Sequence, residues 1–395
     1  MNERYLINDI CDVGSSKRIY LSEYQDSGIP FYRGKEIIEK DSNKEISNEL
    51  FISHDRYNEI KEKFGVPEKG DILMTAVGTI GISWYVNEEN FYFKDGNLIW
   101  FKNFKKNIVN SKYLYYIFKS KLFSEIIKNI SIGSTQKAIT IEQVKKIELE
   151  FPKIEIQDKI VKILDNINNK IIINNEINSN LHELCNILYT DLTKQLDDTN
   201  SSVKNIKNVA KCVLGGTPSR AKGEYWNGSI NWINSGEINK FRIIKATEKI
   251  TELGLKKSST TLLPKGTTVL AITGATLGQV SRLEIDSCAN QSVIGIMTNE
   301  RELNNYMYLS ILNNINNLIS KQTGGAQQHI NKNDVETHEI LVPNKELISR
   351  FDETVNPLFE QISINCFENQ RLKQLRDTLL PKLMNGEIDL DNIGV

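Results

Sequence analysis

Cysteine is scarce and scattered in this sequence: Cys11, Cys185, Cys212, Cys288 and Cys366 are five in number, and no two form a CxxC pair. An odd, dispersed set argues against both a disulfide framework and a zinc site, and implies reduced thiols. Histidine is scarcer still, and His54, His182, His329 and His338 are nowhere at metal-ligand spacing, so no metal is expected. No stretch approaches the roughly 18 uninterrupted apolar residues of a membrane span. The opening MNERYLINDI carries neither a basic leader nor an apolar signal core, so the expected location is cytoplasmic. Positive charge is not in excess either: 49 Lys and Arg stand against 50 Asp and Glu, a net charge of -1. A protein that neutralises phosphates alone normally carries a surplus of cations, so a nucleic-acid reader of this composition is expected to work inside an assembly. The chain also lacks an NPPY or DPPY methylation motif, a GxGxxG fingerprint after a strand and a GxxxxGK[ST] phosphate loop. No catalytic residues are expected.

What is present is a chain of 395 residues, 39% hydrophobic and with 14 Phe and 14 Tyr, long enough for two cores. It repeats itself. Gly133 to Pro152 reads GSTQKAITIEQVKKIELEFP and Gly324 to Pro343 reads GGAQQHINKNDVETHEILVP, with Gly, Gln, Ile, Val and Pro recurring at one constant shift and without gaps. PEKGDILMTAVGTIG from Pro67 resembles LPKGTTVLAITGATLG from Leu263, and IPFYRGKEI from Ile29 resembles INWINSGEI from Ile230. Short runs rich in Val, Ile, Thr and aromatics, at 71–76, 97–101, 268–273 and 292–297, read as strands. Segments 110–127 and 304–320 read as helices from their apolar spacing. Each half is therefore expected to be a mixed α/β domain with a strongly bent sheet.

After Pro152 the pattern becomes a ladder with steps of four and three: Ile160, Leu164, Ile167, Ile171, Asn174, Asn178, Leu181, Cys185, Leu188, Leu192. The same shift yields Phe351, Val355, Leu358, Ile362, Asn365, Asn369, Leu372, Arg376, Leu379, Leu383. These are heptad seams, and asparagine at a seam position sets register because its amide needs a partner. The two asparagines of each ladder flank its midpoint, so an antiparallel pair would set Asn174 against Asn369 and Asn178 against Asn365. Pro357 lies inside the second ladder and is expected to bend or delay that helix. The alternative is two amphipathic helices, each packed on its own domain. The expected organisation is a globular domain over 1–152, a helix over 153–195, a second domain over 196–343, and a helix and tail over 344–395. A ladder of this length spans roughly 50 Å at about 1.5 Å per residue.

GGTPS at Gly215, YWNGSINWI at Tyr225, TGATLG at Thr273, GGAQQHI at Gly324 and LLPKLMNGEIDL at Leu379, in this order and with the repeated halves, resemble the specificity subunits of type I restriction-modification systems. The likeness covers essentially the whole chain. The first half departs from it, with VGSSKR for the GGTPS form and AVGTIG for TGATLG. The resemblance implies a non-catalytic subunit with two pseudo-symmetric α/β target-recognition domains separated by two long helices in an antiparallel coiled coil. It implies reading of double-stranded DNA at an asymmetric target of two half-sites around an unread spacer. It also implies two methyltransferase subunits as partners, with restriction subunits as further partners. No cofactor belongs to such a subunit; its partners use S-adenosylmethionine, and ATP with Mg. Two other readings stay open: a specificity subunit working with methyltransferase only, and a coiled-coil scaffold whose domains bind proteins.

Candidate contacts follow from residue type. In the second half, Thr217 and Ser219 on the Gly-Gly turn would fix a phosphate with the turn's N–H groups, and Arg220 would reach a phosphate or a guanine edge. An ordinary turn with a solvated arginine is the plain alternative, and Lys17 and Arg18 are the first-half equivalents. Gln327 and Gln328, with Gln136 and Lys137 opposite them in the repeat, could bond adenine or merely cap the helix starting near Asn331. The loops carrying Thr75, Gly78 and Thr79, and Thr273 and Thr276, allow close backbone approach but equally suit tight strand connections. Arg33, Lys35, Asn234 and Ser235 complete the set. Trp226 and Trp232 read first as core aromatics, and only second as stacking surfaces.

Overall fold

The computed structural model describes residues 2–42, 46–87, 90–131, 137–320, 329–384 and 386–388. The chain divides into two units, one made of Met1–Asn169 with Leu372–Val395 and the other of Lys170–Arg371. The division falls inside the two long helices rather than at their ends, because each globular part packs on the helical turns nearest to it.

In the first unit, Ile72–Thr75 is an entirely buried strand at the centre of an antiparallel sheet with the order Asp12–Gly14, Leu98–Lys102, Ile72–Thr75, Ser83–Tyr85. A second sheet runs Tyr24–Gln25, Phe51–Ile52, Ile29–Tyr32, Tyr92–Phe93, its last pair parallel. Glu3–Leu6 pairs antiparallel with Glu148–Phe151 and so ties the start of the globular part to its end. Segment 110–127 is not the single helix its spacing predicts. It forms two, Ser111–Phe118 and Lys121–Ile130, because the Ser120 hydroxyl accepts from the Phe123 N–H at 3.1 Å and starts a new helix.

The second unit repeats this plan with different residues. Its antiparallel sheet is ordered Ala210–Leu214, Val293–Thr298, Thr268–Ala271, Val280–Arg282, again with the most buried strand inside. Glu248–Ile250, Trp226–Ile233 and Cys288–Ala289 form the smaller sheet, whose last pair is parallel, and Ser201–Asn205 pairs with Glu339–Pro343. The sequence repeat is therefore a repeat of sheet order. Helix Leu303–Ser320 covers the sheet, and the short helix Lys332–Glu336 is capped by Asn331, whose Oδ1 accepts from the Asp334 N–H at 2.9 Å.

The first long helix is Ile154–Lys194 and the second is Lys345–Met384. Pro357 does not delay the second helix, which starts at Lys345 and runs through it; the single backbone bond it removes is outweighed by the buried Val355, Phe359 and Ile362 around it. Within the first unit, Ile160 and Leu164 of one helix share a core with Leu380 and Leu383 of the other, and Arg376 Nη1 donates to Asn168 Oδ1 at 3.2 Å. Within the second unit, Cys185, Tyr189 and Leu192 share a core with Phe351, Val355 and Phe359. Burial leaves the strict seven-residue ladder at Tyr189, Phe359 and Leu380, one position beyond Leu188, Leu358 and Leu379. A straight helix drifts against a 3.5-residue repeat, and the globular core reaches for the neighbouring position.

Among the described residues no disulfide joins the cysteines, no group of His, Cys, Asp or Glu could hold a metal, and no helix is long and apolar enough to cross a membrane.

Candidate nucleic-acid interface

In the second unit the Gly-Gly turn is held from below by tryptophan. Trp232 is buried and its Nε1 donates to the Gly216 carbonyl at 3.0 Å; Trp226 is half-buried and its Nε1 donates to the Ser219 carbonyl at 3.2 Å. The two rings meet edge to face, 5.1 Å between centroids and 86° apart. On this shelf lies Arg220, its guanidinium carbon 3.7 Å from the Trp226 ring centroid and 5.1 Å from that of Trp232. Its Nη2 donates to Glu248 Oε2 at 2.8 Å while Nη1 donates to Oε1, a two-point pair on an exposed side chain. The Glu248 carboxyl is thereby held below its ordinary range.

One expectation for this turn is corrected. The Gly215 and Gly216 N–H groups do not point outward for a phosphate: they donate to the Val293 and Ala289 carbonyls at 2.9 and 2.8 Å. Glycine is required here for close packing. A Cβ on Gly215 would lie 2.1 Å from the Asn290 carbonyl oxygen, and one on Gly216 would lie 2.6 Å from the Thr260 nitrogen. Thr217 is half-buried and bonds Gln291, which leaves Ser219 and Arg220 as the exposed end of the turn. Asn234 caps its own turn, its Oδ1 accepting from the Gly236 N–H at 2.8 Å, with Ser235 half-buried beside it.

The first unit presents its counterparts differently. Lys17 and Arg18 are exposed: the Lys17 ammonium sits 4.6 Å over the Phe64 ring, and Arg18 Nε pairs with Asp95 at 3.0 Å. Arg33 folds back on the fully buried Glu36 through Nε and Nη2 at 3.1 and 2.6 Å, so its fork is occupied internally. Lys35 is exposed at 3.9 Å from Glu39. Thr75 is corrected to a structural residue, because it is 1% exposed and its hydroxyl accepts from the Ile82 N–H at 3.0 Å.

The glycine loops and the repeated Gln segments come together in each unit by the same device. Val77 forms an antiparallel bridge with Ala138, and Gly78 N–H donates to the Lys137 carbonyl at 3.0 Å; in the second unit Thr273 bridges His329. Gly78, Thr79 and Lys137 are exposed, while Thr276 is half-buried and turns its hydroxyl to the Thr273 carbonyl at 3.2 Å. Gln136, Gln327 and Gln328 lie outside the described residues.

Three features escaped sequence reasoning. Glu36 and Glu237 are buried at equivalent places and close capping boxes onto Arg33 and Asn234; the Glu-Ile shared by IPFYRGKEI and INWINSGEI was the available signal. Glu248 had none, because its partner lies 28 residues away. Tyr20 and Leu21, at 62% and 82% exposure, form an apolar tip beside Lys17 and Arg18 that hydropathy alone would have buried.

The asparagines of the long helices meet within the second unit. Asn174 Nδ2 donates to Asn369 Oδ1 at 2.9 Å and to Glu368 Oε2 at 2.7 Å, and Asn365 Nδ2 donates to Asn178 Oδ1 at 2.9 Å. All four side chains are buried.

Two units of one sheet plan, each carrying an exposed loop tied to a repeated segment, and two long helices with matched polar layers define a duplicated recognition fold. The family model for the type I restriction modification DNA specificity domain matches residues 2–183 and 199–373, and the chain belongs to that family. It is 26% identical to the type I restriction enzyme MjaIX specificity subunit of Methanocaldococcus jannaschii, over 98% of this chain and 93% of that one. It is 35% identical to a putative type I restriction enzyme specificity subunit of Haemophilus influenzae, over 42% of this chain and 40% of that one. Among solved structures, the type I restriction-modification S subunit from M. genitalium shares the fold, with a TM-score of 0.61 at 15% identity over 97% of this chain and 96% of that one.

Proposed function

We propose that this chain is the sequence-specific recognition subunit of a type I restriction-modification complex, reading double-stranded DNA at an asymmetric target of two half-sites separated by an unread spacer. The observation that carries the reading is the repeated juxtaposition of a glycine loop with the repeated Gln segment, Val77 against Ala138 and Thr273 against His329, in two units whose exposed residues differ. Different side chains on one plan read different half-sites. The subunit itself catalyses nothing and holds no cofactor; the methyltransferase partners use S-adenosylmethionine, and the restriction subunits use ATP with Mg. The exposed Ile173, Ile177, Leu184, Ile187 and Ile364 of the long helices offer apolar surface for two methyltransferase subunits. The near-zero net charge fits a reader whose partners supply much of the phosphate contact.

The test is reconstitution of the full chain with its methyltransferase subunits. Expected are two methyltransferase copies per chain, duplex binding that weakens steeply with salt, and methylation confined to one bipartite sequence in single-molecule mapping. Salt-insensitive association with proteins, and no duplex binding, would sink the reading. A translocating restriction subunit that co-purifies with the complex separates the full system from one that only methylates.

A further inference from the structure

The described arginines among the candidate contacts differ in which edge of the guanidinium is occupied. Arg18 uses Nε on Asp95, and Arg33 uses Nε with Nη2 on Glu36, so in both the side edge is already engaged. Arg220 is turned the other way: its two bonds to Glu248 come from Nη1 and Nη2, and Nε takes part in neither. A guanidinium carries five N–H donors in a planar fork. The end-on pair with Glu248 therefore leaves the Nε and Nη side edge for a second planar pair of acceptors.

We infer that Arg220 reads a guanine in the half-site recognised by the second unit, its side edge donating to O6 and N7 while Glu248 holds the guanidinium from its end. This rests on the DNA-recognition reading above. Three features build the site. The Trp226 ring centroid lies 3.7 Å from the guanidinium carbon, so the indole backs the arginine at contact distance, and Trp226 and Trp232 are themselves pinned by their bonds to the turn. Gly215 and Gly216 seat that turn directly against backbone, with their N–H groups bonded to the Val293 and Ala289 carbonyls. Finally, Glu248 neutralises Arg220, so a bare phosphate gains little from approaching it, whereas guanine supplies two acceptors in the plane already set. Glu248 and Trp226 are positioning residues; Arg220 alone touches the base. Lysine in its place would keep the charge and lose the fork.

The experiment uses the full chain reconstituted with its methyltransferase subunits, on duplexes carrying the target mapped from host DNA methylation, with every base pair of both half-sites changed in turn. In the wild-type complex one G·C pair of one half-site should be preferred over its substitutes by roughly 10- to 100-fold. Arg220→Lys should remove that preference and leave the preferences at every other position intact, which also shows that the variant is folded. Glu248→Gln should weaken the same preference without moving it to another position. The inference is overturned if Arg220→Lys keeps every base preference. It is overturned equally if Arg220→Ala weakens all duplexes alike and lowers the slope of log affinity against log salt by about 1, the behaviour of a phosphate contact. A wild-type complex without any base preference would overturn the DNA-recognition reading as well, and so tells the two failures apart.

Discussion

His182 shows how a single side chain couples packing to pH. It stands edge-on to Phe241 at 5.1 Å and near Tyr308, and its Nε2 is buried without a hydrogen-bond partner. Burial first, and the Arg242 cation second, push its pKa down to about 4. The imidazole therefore stays neutral in the folded unit at pH values where the unfolded chain, with a pKa near 6.5, takes up a proton. Unfolding binds that proton, so stability from this group is intact above about pH 6.5 and declines as the pH falls toward 4. The loss should be on the order of 1–3 kcal/mol. His182→Phe, which keeps the aromatic contact, should melt with a shallower pH dependence than the wild type between pH 6.5 and 4. Asp352, raised by burial, titrates with the opposite sign and is common to both proteins, so the difference between the two melting curves isolates the histidine. Equal slopes would show that His182 is protonated in the fold.

At the scale of elements, the polar layer of the long helices does what leucine could not: it ties one register to a hydrogen-bond pattern. Asn174 is 1% exposed and Asn369 6% exposed, so a slip that set either amide against an apolar side chain would leave buried donors and acceptors unmet. Asn174→Leu or Asn369→Leu alone should each cost about 1–3 kcal/mol, because the buried partner amide loses one bond: Asn369 Oδ1 is left without its donor, or Asn174 Nδ2 keeps Glu368 alone. The double variant should cost less than the sum, with a coupling of about 0.5–3 kcal/mol in denaturant melts, and strict additivity would refute the contact. These elements were legible in the sequence for a physical reason. The helix ladder and the repeat are local periodicities, and burial at Ile160, Leu164, Ile362 and Leu383 follows them. What was not legible depends on partners far along the chain: Glu248 for Arg220, and Val293 and Ala289 for the glycine N–H groups. The break at Ser120 was missed because apolar spacing continues across it while a cap starts a new helix.

At the scale of the whole molecule, duplication divides the task. The order of the four-stranded core sheet is the same in both units, yet the exposed ends differ: Ser219 and Arg220 over Trp226 in one, and Lys17 and Arg18 beside Tyr20 and Leu21 in the other. On the proposed reading, base identity belongs to side chains on the units, and the distance between half-sites belongs to the helices that continue from one to the other. The two properties should mutate independently. Inserting four residues, about one helical turn, into each long helix clear of the asparagine layer should alter spacer length and leave the bases of both half-sites unchanged. Replacing the exposed Ser219 and Arg220, with Gly215 and Gly216 kept, should alter one half-site and leave the spacer unchanged. Methylation mapping of both variants reads out the two properties at once. A helix insertion that rewrote half-site bases would mean that the units do not read DNA autonomously, and the division of labour between units and helices would have to be given up.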